Sequence, residues 1–66
     1  MKVYDCWWTG LPDTHVGVEA SSRNKAKAIV LRQANDAGYD AKYTEIHARV
    51  DSCAKVHYKE SAATVA

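Results

Sequence analysis

The change from strand to helix that decides this fold falls within residues 16–26, VGVEASSRNKA. Its first half alternates apolar and small or polar residues, which is the period of a half-buried strand. Ser22 then offers the hydroxyl that caps a helix N-terminus, and beyond it the inward positions recur at the spacing of one helical face. A strand that passes directly into a helix predicts a domain of the α+β class.

The predicted helix runs from about Arg23 to Ala37 and ends at Gly38. A glycine just past the last periodic residue can adopt the left-handed conformation that closes a helix, and Tyr39 after it can pack on the last turn. The face that we expect to be buried comprises Ala26, Ile29, Val30, Gln33, Ala34 and Ala37.

Two strands are predicted before the helix. Residues Lys2–Trp8 are rich in valine, tyrosine and tryptophan, and they are followed by turn chemistry at residues 9–13, TGLPD. The alternating segment at residues 15–20 then completes an antiparallel hairpin.

One or two strands are predicted after the helix. Alternation returns from Ala41 to Val50, which predicts a third strand, and residues 53–59 give a weaker signal for a short fourth strand at the sheet edge. The predicted domain therefore covers residues 1–59, and residues 60–66 form a flexible C-terminal tail.

The order of these elements restricts the topology. A strand–helix–strand crossover returns the third strand parallel to the second, so the third strand is antiparallel to the first. We therefore expect a three-stranded antiparallel sheet of order 2-1-3, with one helix on one face, a ββαβ fold with a possible fourth edge strand. The face beneath the helix comprises Tyr4, Cys6, Trp8, Val16, Val18, Ile46 and Ala48.

The opposite sheet face is the first candidate binding surface. Strand alternation assigns to it Val3, Asp5, Trp7, His15, Glu19, Tyr43, Glu45, His47 and Arg49. Exposed aromatics on a sheet are typical of single-stranded RNA readers, but the three carboxylates on this face would repel a phosphate chain. Covering of the aromatics by the C-terminal segment is another possibility. We predict that Trp7, Tyr43, His47 and Arg49 bind a protein partner.

The outer helix face is the second candidate surface. Leu31 lies there among small uncharged residues, and four cations flank it: Arg23, Lys25, Lys27 and Arg32. A central apolar anchor with a polar rim is typical of a protein interface, here formed by Arg23, Lys27, Leu31 and Arg32. The alternative is that the four cations bind the phosphates of a nucleic acid.

Composition excludes several classes of protein. The chain has 66 residues, with Lys+Arg 9 against Asp+Glu 8 and a formal net charge of +1. This balance excludes a strongly acidic DNA mimic and lacks the basic excess of most nucleic-acid binders. No apolar run is long enough to span a membrane, and the N-terminus does not resemble a signal peptide. We expect a cytoplasmic protein with no membrane contact.

Few residues in the sequence could bind a metal or take part in catalysis. Two cysteines, Cys6 and Cys53, and three histidines, His15, His47 and His57, contain no C-x-x-C or H-x-x-x-H pair, so no metal or cofactor is expected. A cysteine–histidine pair is the best enzymatic possibility, but alternation places Cys6 in the core. A three-stranded sheet under one helix also leaves little volume for a catalytic pocket. We predict that the chain is not an enzyme.

Two segments carry a resemblance to known proteins. Residues 16–27, VGVEASSRNKAK, followed by residues 34–39, ANDAGY, and a strand, are similar to small phage and prophage proteins of unknown function. Those proteins combine a hairpin, an A-x-S-x-x-x-A-K helix start, an A-G-Y helix end and a final strand. The similarity covers about Val16–Val50; the double tryptophan and the segment after Val50 depart from the pattern.

The resemblance implies a fold and a class of function. It supports the ββαβ fold and transfers no catalytic residue, because its motifs are capping and packing signals. Phage proteins of this size include inhibitors of bacterial defence, among them anti-CRISPR proteins, which occlude a surface of a larger complex. We therefore predict a protein-binding module that inhibits a bacterial defence complex. The alternatives are a small nucleic-acid-binding protein and a phage structural subunit. A homodimer through strand edges or open sheet faces is compatible with either candidate binding surface.

Overall fold

The computed structural model describes residues 1–60, so the predicted tail of residues 60–66 lies outside it except for Glu60. The elements in chain order are β1 (Lys2–Trp8), β2 (Leu11–Ala20), α1 (Arg23–Asp36), a 3₁₀ turn (Tyr43–Glu45), β3 (Ile46–Val50) and β4 (Val56–Lys59). One helix packs against a four-stranded sheet, which is the α+β architecture that the sequence predicts. None of the helices within residues 1–60 has the length and apolar character needed to cross a membrane.

The sheet has the order β3-β1-β2-β4. β1 is antiparallel to both of its neighbours, and Cys6 lies opposite Val16 on β2 and Ala48 on β3. The predicted 2-1-3 arrangement is therefore confirmed. The fourth strand also forms, but it runs parallel to β2, so the sheet is mixed rather than wholly antiparallel. The reason is that β4 follows a crossover from β3 and therefore keeps the direction of β3.

The connection between β3 and β4 crosses the sheet, because these strands lie at opposite edges. Three strand spacings amount to about 14 Å, and six extended residue steps span about 20 Å, so residues 51–55 take a nearly direct path. A β-carbon on Gly17 would overlap the carbonyl oxygen of Lys55. Because the side-chain direction of Gly17 is opposite to that of Val16 and Val18, the connection passes over the face away from the helix.

Both predicted helix ends are confirmed within one residue. The Ser22 hydroxyl accepts a hydrogen bond from the Lys25 N–H at 3.2 Å, which satisfies one of the amides left unpaired at the helix start. Gly38 has φ +99°, and the Tyr39 N–H donates to the Ala34 carbonyl at 3.1 Å. This bond closes the helix in a Schellman motif.

The core forms on the face predicted from strand alternation. Its buried members are Tyr4, Cys6, Val18, Ala20, Ala26, Val30, Ala41, Ile46 and Ala48, and Trp8 and Val16 are half-buried against them. Cys6, Val18 and Ile46 are fully buried. Apolar burial on this face is the main stabilising contribution of so small a domain.

The predicted turn at residues 9–13 is wrong in length. Trp8 lies opposite Leu11, which leaves a two-residue turn, whereas Trp7 lies opposite His15. Residues 12–14 therefore form an irregularity within β2, and such a position tolerates Pro12. The ring of Trp8 packs over Gly10 so closely that a β-carbon there would overlap it.

The predicted start of the third strand at Ala41 is also wrong. The Glu45 carboxylate accepts the Lys42 N–H at 2.9 Å, and the Glu45 N–H donates to the Lys42 carbonyl at 2.9 Å. These local bonds hold residues 43–45 in a 3₁₀ turn, although their alternation matches a strand. Tyr43 and Glu45 consequently do not lie on the open sheet face.

Candidate functional site

Three rings form a stacked row on the open sheet face. Trp7 on β1 lies between His15 on β2 and His47 on β3, as the strand register requires. The ring centroids are 4.8 Å apart for Trp7 and His15, with planes 16° apart, and 5.4 Å apart for Trp7 and His47, with planes 25° apart. Both faces of the Trp7 indole are thus covered by imidazoles. We call His15, Trp7 and His47 the stacked row.

A buried carboxylate lies beside the row, at the next position on the same face of β1. Asp5 is 8% exposed, and both of its carboxylate oxygens lie 3.0 Å from His15 Nδ1. Arg49 Nε and Nη2 each lie 3.2 Å from Asp5 Oδ2, and the guanidinium carbon is 5.6 Å from the centre of the Trp7 ring. The Arg49 side chain remains 67% exposed. Asp5 therefore fixes the positions of the His15 ring and the Arg49 guanidinium, and both side chains remain partly exposed to solvent.

The ring of His15 lies between two hydrogen-bond acceptors. Its Nδ1 faces the Asp5 carboxylate, and its Nε2 is 3.1 Å from the carbonyl oxygen of Pro12. The two ring nitrogens of His15 therefore link the irregular part of β2 to Asp5 on β1.

The crossing connection limits how much of the open face is accessible. Residues 51–55 pass over Gly17, and the Gly17 N–H donates to His57 Nδ1 at 3.1 Å. The stacked row lies two residues further along the strands, where His15 and His47 are exposed and Trp7 is half-buried. The accessible part of the face is the row together with Arg49.

The structure brings together three of the four residues predicted for this face. Trp7 contacts both His47 and Arg49. Tyr43 is not among them, because it lies in the 3₁₀ turn, where the Lys27 ammonium is 4.5 Å from its ring centre. Sequence reasoning left His15 out of the site, although alternation had placed it on this face. Its contact with Trp7 follows from the β1–β2 register, which strand alternation alone does not specify.

The helix surface does not have the predicted arrangement. Leu31 is half-buried and packs against the core, so its prediction as an exposed anchor is wrong. The buried side of α1 includes Ala26 and Val30, and this orientation turns Leu31 toward the core. Lys27 lies over Tyr43, and Arg32 pairs with Asp36 at 3.7 Å, while Arg23 is exposed.

The cysteines differ in environment. Burial, with a further contribution from the negative charge of Asp5, raises the pKa of the Cys6 thiol to about 12. Cys6 is therefore a neutral thiol at physiological pH and a poor nucleophile. Cys53 is an exposed free thiol. Within residues 1–60, no three histidine, cysteine or acidic side chains converge as metal ligands would.

A cleft of about 140 Å³ opens between α1 and the turn of the β1–β2 hairpin. Its principal walls are Trp8, Leu11, Val30, Ala34, Tyr39 and Tyr58. The Trp8 indole N–H donates to Glu45 Oε1 at 3.2 Å, and the Trp8 and Tyr39 rings are 5.2 Å apart. Hydrogen bonds from the Lys42 backbone and from Trp8 lower the pKa of Glu45.

No protein-family model, curated protein or solved structure matches this chain.

Proposed function

We propose that this chain is a non-enzymatic binding module whose stacked row and Arg49 bind an acidic surface of a protein partner. The observation that carries the proposal is the row itself, in which His15, Trp7 and His47 stack across three neighbouring strands beside the buried Asp5. Flat rings that are already held in place lose little conformational freedom when a partner binds. Tryptophan and arginine are also the residues that most often dominate interface energies.

The charges around the row favour an acidic partner. Arg49 directs part of its guanidinium to solvent, and the crossing connection contributes the exposed Lys55. Lys59 lies further away, opposite Glu19. The carboxylate of Asp5 is buried and already paired with His15 and Arg49, so it contributes little repulsion. Complementary charge of this kind speeds association and selects against partners of the wrong sign.

The same geometry weakens the nucleic-acid alternative. A base needs an uncovered ring face on which to stack, and both faces of Trp7 are occupied by imidazoles. On the helix, Lys27 is engaged with Tyr43 and Arg32 with Asp36, which reduces the cations available to a phosphate chain. We therefore favour a protein partner over a nucleic acid.

The specific partner that we propose is a bacterial defence complex, whose working surface this chain would occlude. The resemblance of residues 16–50 to phage and prophage proteins is what supports this narrower form. An interface of standard size buries about 800 Å² on each partner. Contact of that size is enough for this chain to cover a site on a larger assembly.

Capture from a bacterial lysate treated with nuclease tests the proposal. The tagged wild-type chain is compared with His47→Glu on the row and with Lys25→Gln on the helix, because each variant lowers the net charge by one at an exposed position. We expect the wild-type chain and Lys25→Gln to retain the same large complex and His47→Glu to lose it. Capture that depends on nucleic acid, or that is lost with Lys25→Gln alone, would contradict the proposal.

A further inference from the structure

The crossing connection and β4 are attached to β2 by a side chain as well as by the sheet ladder. The β2–β4 register shifts between Gly17 and Val18, and at this step the Gly17 N–H donates to His57 Nδ1 at 3.1 Å. Gly17 is buried, whereas His57 is exposed. We propose that His57 is an acid-sensitive latch. It holds the connection and the start of β4 on β2 while Nδ1 is unprotonated, and it releases them when this nitrogen binds a proton.

The direction of this hydrogen bond sets the form of the imidazole that can make it. A backbone N–H is a donor, so His57 Nδ1 has to offer a lone pair to Gly17. A neutral imidazole in this geometry carries its proton on Nε2, whereas the imidazolium ion carries a proton on both nitrogens. In the imidazolium form two N–H groups would face each other, and the hydrogen bond is lost.

The burial of Gly17 turns the loss of one hydrogen bond into an opening of the segment. A buried N–H without a partner is costly, and water can replace the imidazole only if it reaches the backbone. The carbonyl of Lys55 lies over Gly17, in the space that a β-carbon would occupy. The connection therefore has to move away before water reaches this N–H. A short strand at the sheet edge has low local stability, so such a movement does not require unfolding of the core.

The surrounding charges do not stabilise an imidazolium at His57. Among the ion pairs of residues 1–60, none includes this side chain. Strand alternation places it on the open face, away from the helix. The titratable side chains on the elements that border it are His15 and Glu19 on β2, Asp51 and Lys55 in the connection, and Lys59 and Glu60 at the end of β4.

Most of these carboxylates are engaged elsewhere. Asp51 accepts a backbone N–H within the connection, and Glu60 bonds to Ser21. Glu19 lies opposite Lys59 rather than opposite His57. The imidazolium would thus have like charges beside it at Lys59 and in the connection, and these favour release.

The far end of β4 is attached in a way that mild acid does not affect. Glu60 Oε1 accepts the Ser21 N–H at 3.1 Å and the Ser21 hydroxyl at 2.9 Å. These bonds, first that of the backbone and then that of the hydroxyl, lower the pKa of Glu60 below its usual 4.5. The carboxylate therefore stays ionised in mild acid. The segment opens at its start and remains attached at residue 60.

Release changes how much of the open face is accessible. The connection covers the face at Gly17, two residues along the strand from the stacked row. This part of the face is covered at neutral pH and becomes accessible in mild acid. The latch does not depend on which partner the row binds, so it can be tested on the chain alone.

Amide hydrogen exchange followed by ¹⁵N NMR tests the latch. Protection factors, which correct for the intrinsic pH dependence of exchange, are measured at about pH 7.5 and about pH 5.5, because histidine ordinarily gains its charge in this range. We expect the protection of Gly17 and Tyr58 to fall at least about tenfold in the acidic sample. Tyr4 and Cys6 on β1 should keep their protection, since the core stays closed.

Three variants separate His57 from the other titratable groups. His57→Asn keeps an acceptor oxygen near the position of Nδ1 but binds no proton, so Gly17 and Tyr58 should stay protected at both pH values. His57→Ala removes the acceptor and should leave these two amides weakly protected at both. His47→Asn removes an exposed imidazole from the opposite edge strand and should respond to acid like the wild type.

Three results would overturn the proposal. The first is a wild-type chain in which Gly17 and Tyr58 show no selective loss of protection in acid. The second is the persistence of that loss in either His57 variant, and the third is its disappearance in His47→Asn.

Discussion

The two faces of the sheet are held together by different kinds of interaction, although they alternate along the same strands. On β1, Tyr4 and Cys6 are buried against the helix. The residues that alternate with them, Asp5 and Trp7, belong to the cluster on the open side. The covered face fixes the backbone by apolar packing, and the open face uses that backbone to position rings and charges. A short chain can thus devote one face to stability and the other to recognition.

The first prediction compares thiols in the two environments. Cys6, with a pKa of about 12, is ionised in roughly one molecule in ten thousand at pH 8, and it reacts only when the core opens. Cys53 lies exposed in the crossing connection. We expect Ellman's reagent to modify Cys53 at least about a hundredfold faster than Cys6 in the folded protein. Equal reaction of both thiols would contradict the burial of Cys6.

The second prediction concerns how far burial extends along the helix-facing side of β3, on which both Ile46 and Val50 lie by strand alternation. Ile46→Ala removes a fully buried side chain and should lower the free energy of unfolding by about 3 kcal/mol. Val50→Ala on the same strand removes a side chain that is 59% exposed and should change it by less than about 0.5 kcal/mol. Urea denaturation measures both. Similar losses for the two variants would mean that β3 is not packed as described.

The third prediction concerns the connection that crosses the open face. Gly17→Ala places a methyl group against the Lys55 carbonyl and should cost about 2 kcal/mol, with faster amide hydrogen exchange in β4. Gly38→Ala is the matched control, because it introduces strain at φ +99° with no atom within 4 Å and should cost about 1 kcal/mol. In Gly38→Ala, amide exchange in β4 should become faster only by the amount that the lower free energy of unfolding accounts for. Unaltered exchange in Gly17→Ala would place the connection elsewhere.

The smallest predicted effect is the pH dependence due to Glu45. Its hydrogen bonds from the Lys42 backbone and Trp8 lower its pKa below the usual 4.5, so its stabilising contribution is present above that pH. The contribution is lost as the pH falls through the lowered pKa. The difference in unfolding free energy between the wild type and Glu45→Gln should therefore shrink between pH 5 and pH 2. A difference that stays constant over this range would contradict the carboxylate hydrogen bonds.

Periodicity was sufficient to predict much of the fold. β1, the helix ends at Ser22 and Gly38, and the buried face were evident because each rests on local pattern or capping chemistry. The start of β3 was not evident, since the bonds between Lys42 and Glu45 override an alternation that fits a strand. The parallel direction of β4 depends on the path of residues 51–55, which no local pattern specifies.

The candidate site was predictable only in part. Alternation alone put Trp7, His47 and Arg49 on the open face, and the structure brings them together. The pairing of His15 with Trp7 depends on the register of the β1–β2 hairpin, and the burial of Leu31 depends on how the helix is rotated on the sheet. Both are tertiary effects that residue spacing does not encode.

The most direct test of the central claim is the binding footprint on the chain when it is held by its captured partner. Amide hydrogen exchange is compared between the free and the bound protein. The proposal predicts new protection on β1 and β3 around Trp7, His47 and Arg49, and no change on the exposed side of α1. Protection confined to residues 23–36, with the stacked row exchanging as in the free protein, would contradict it.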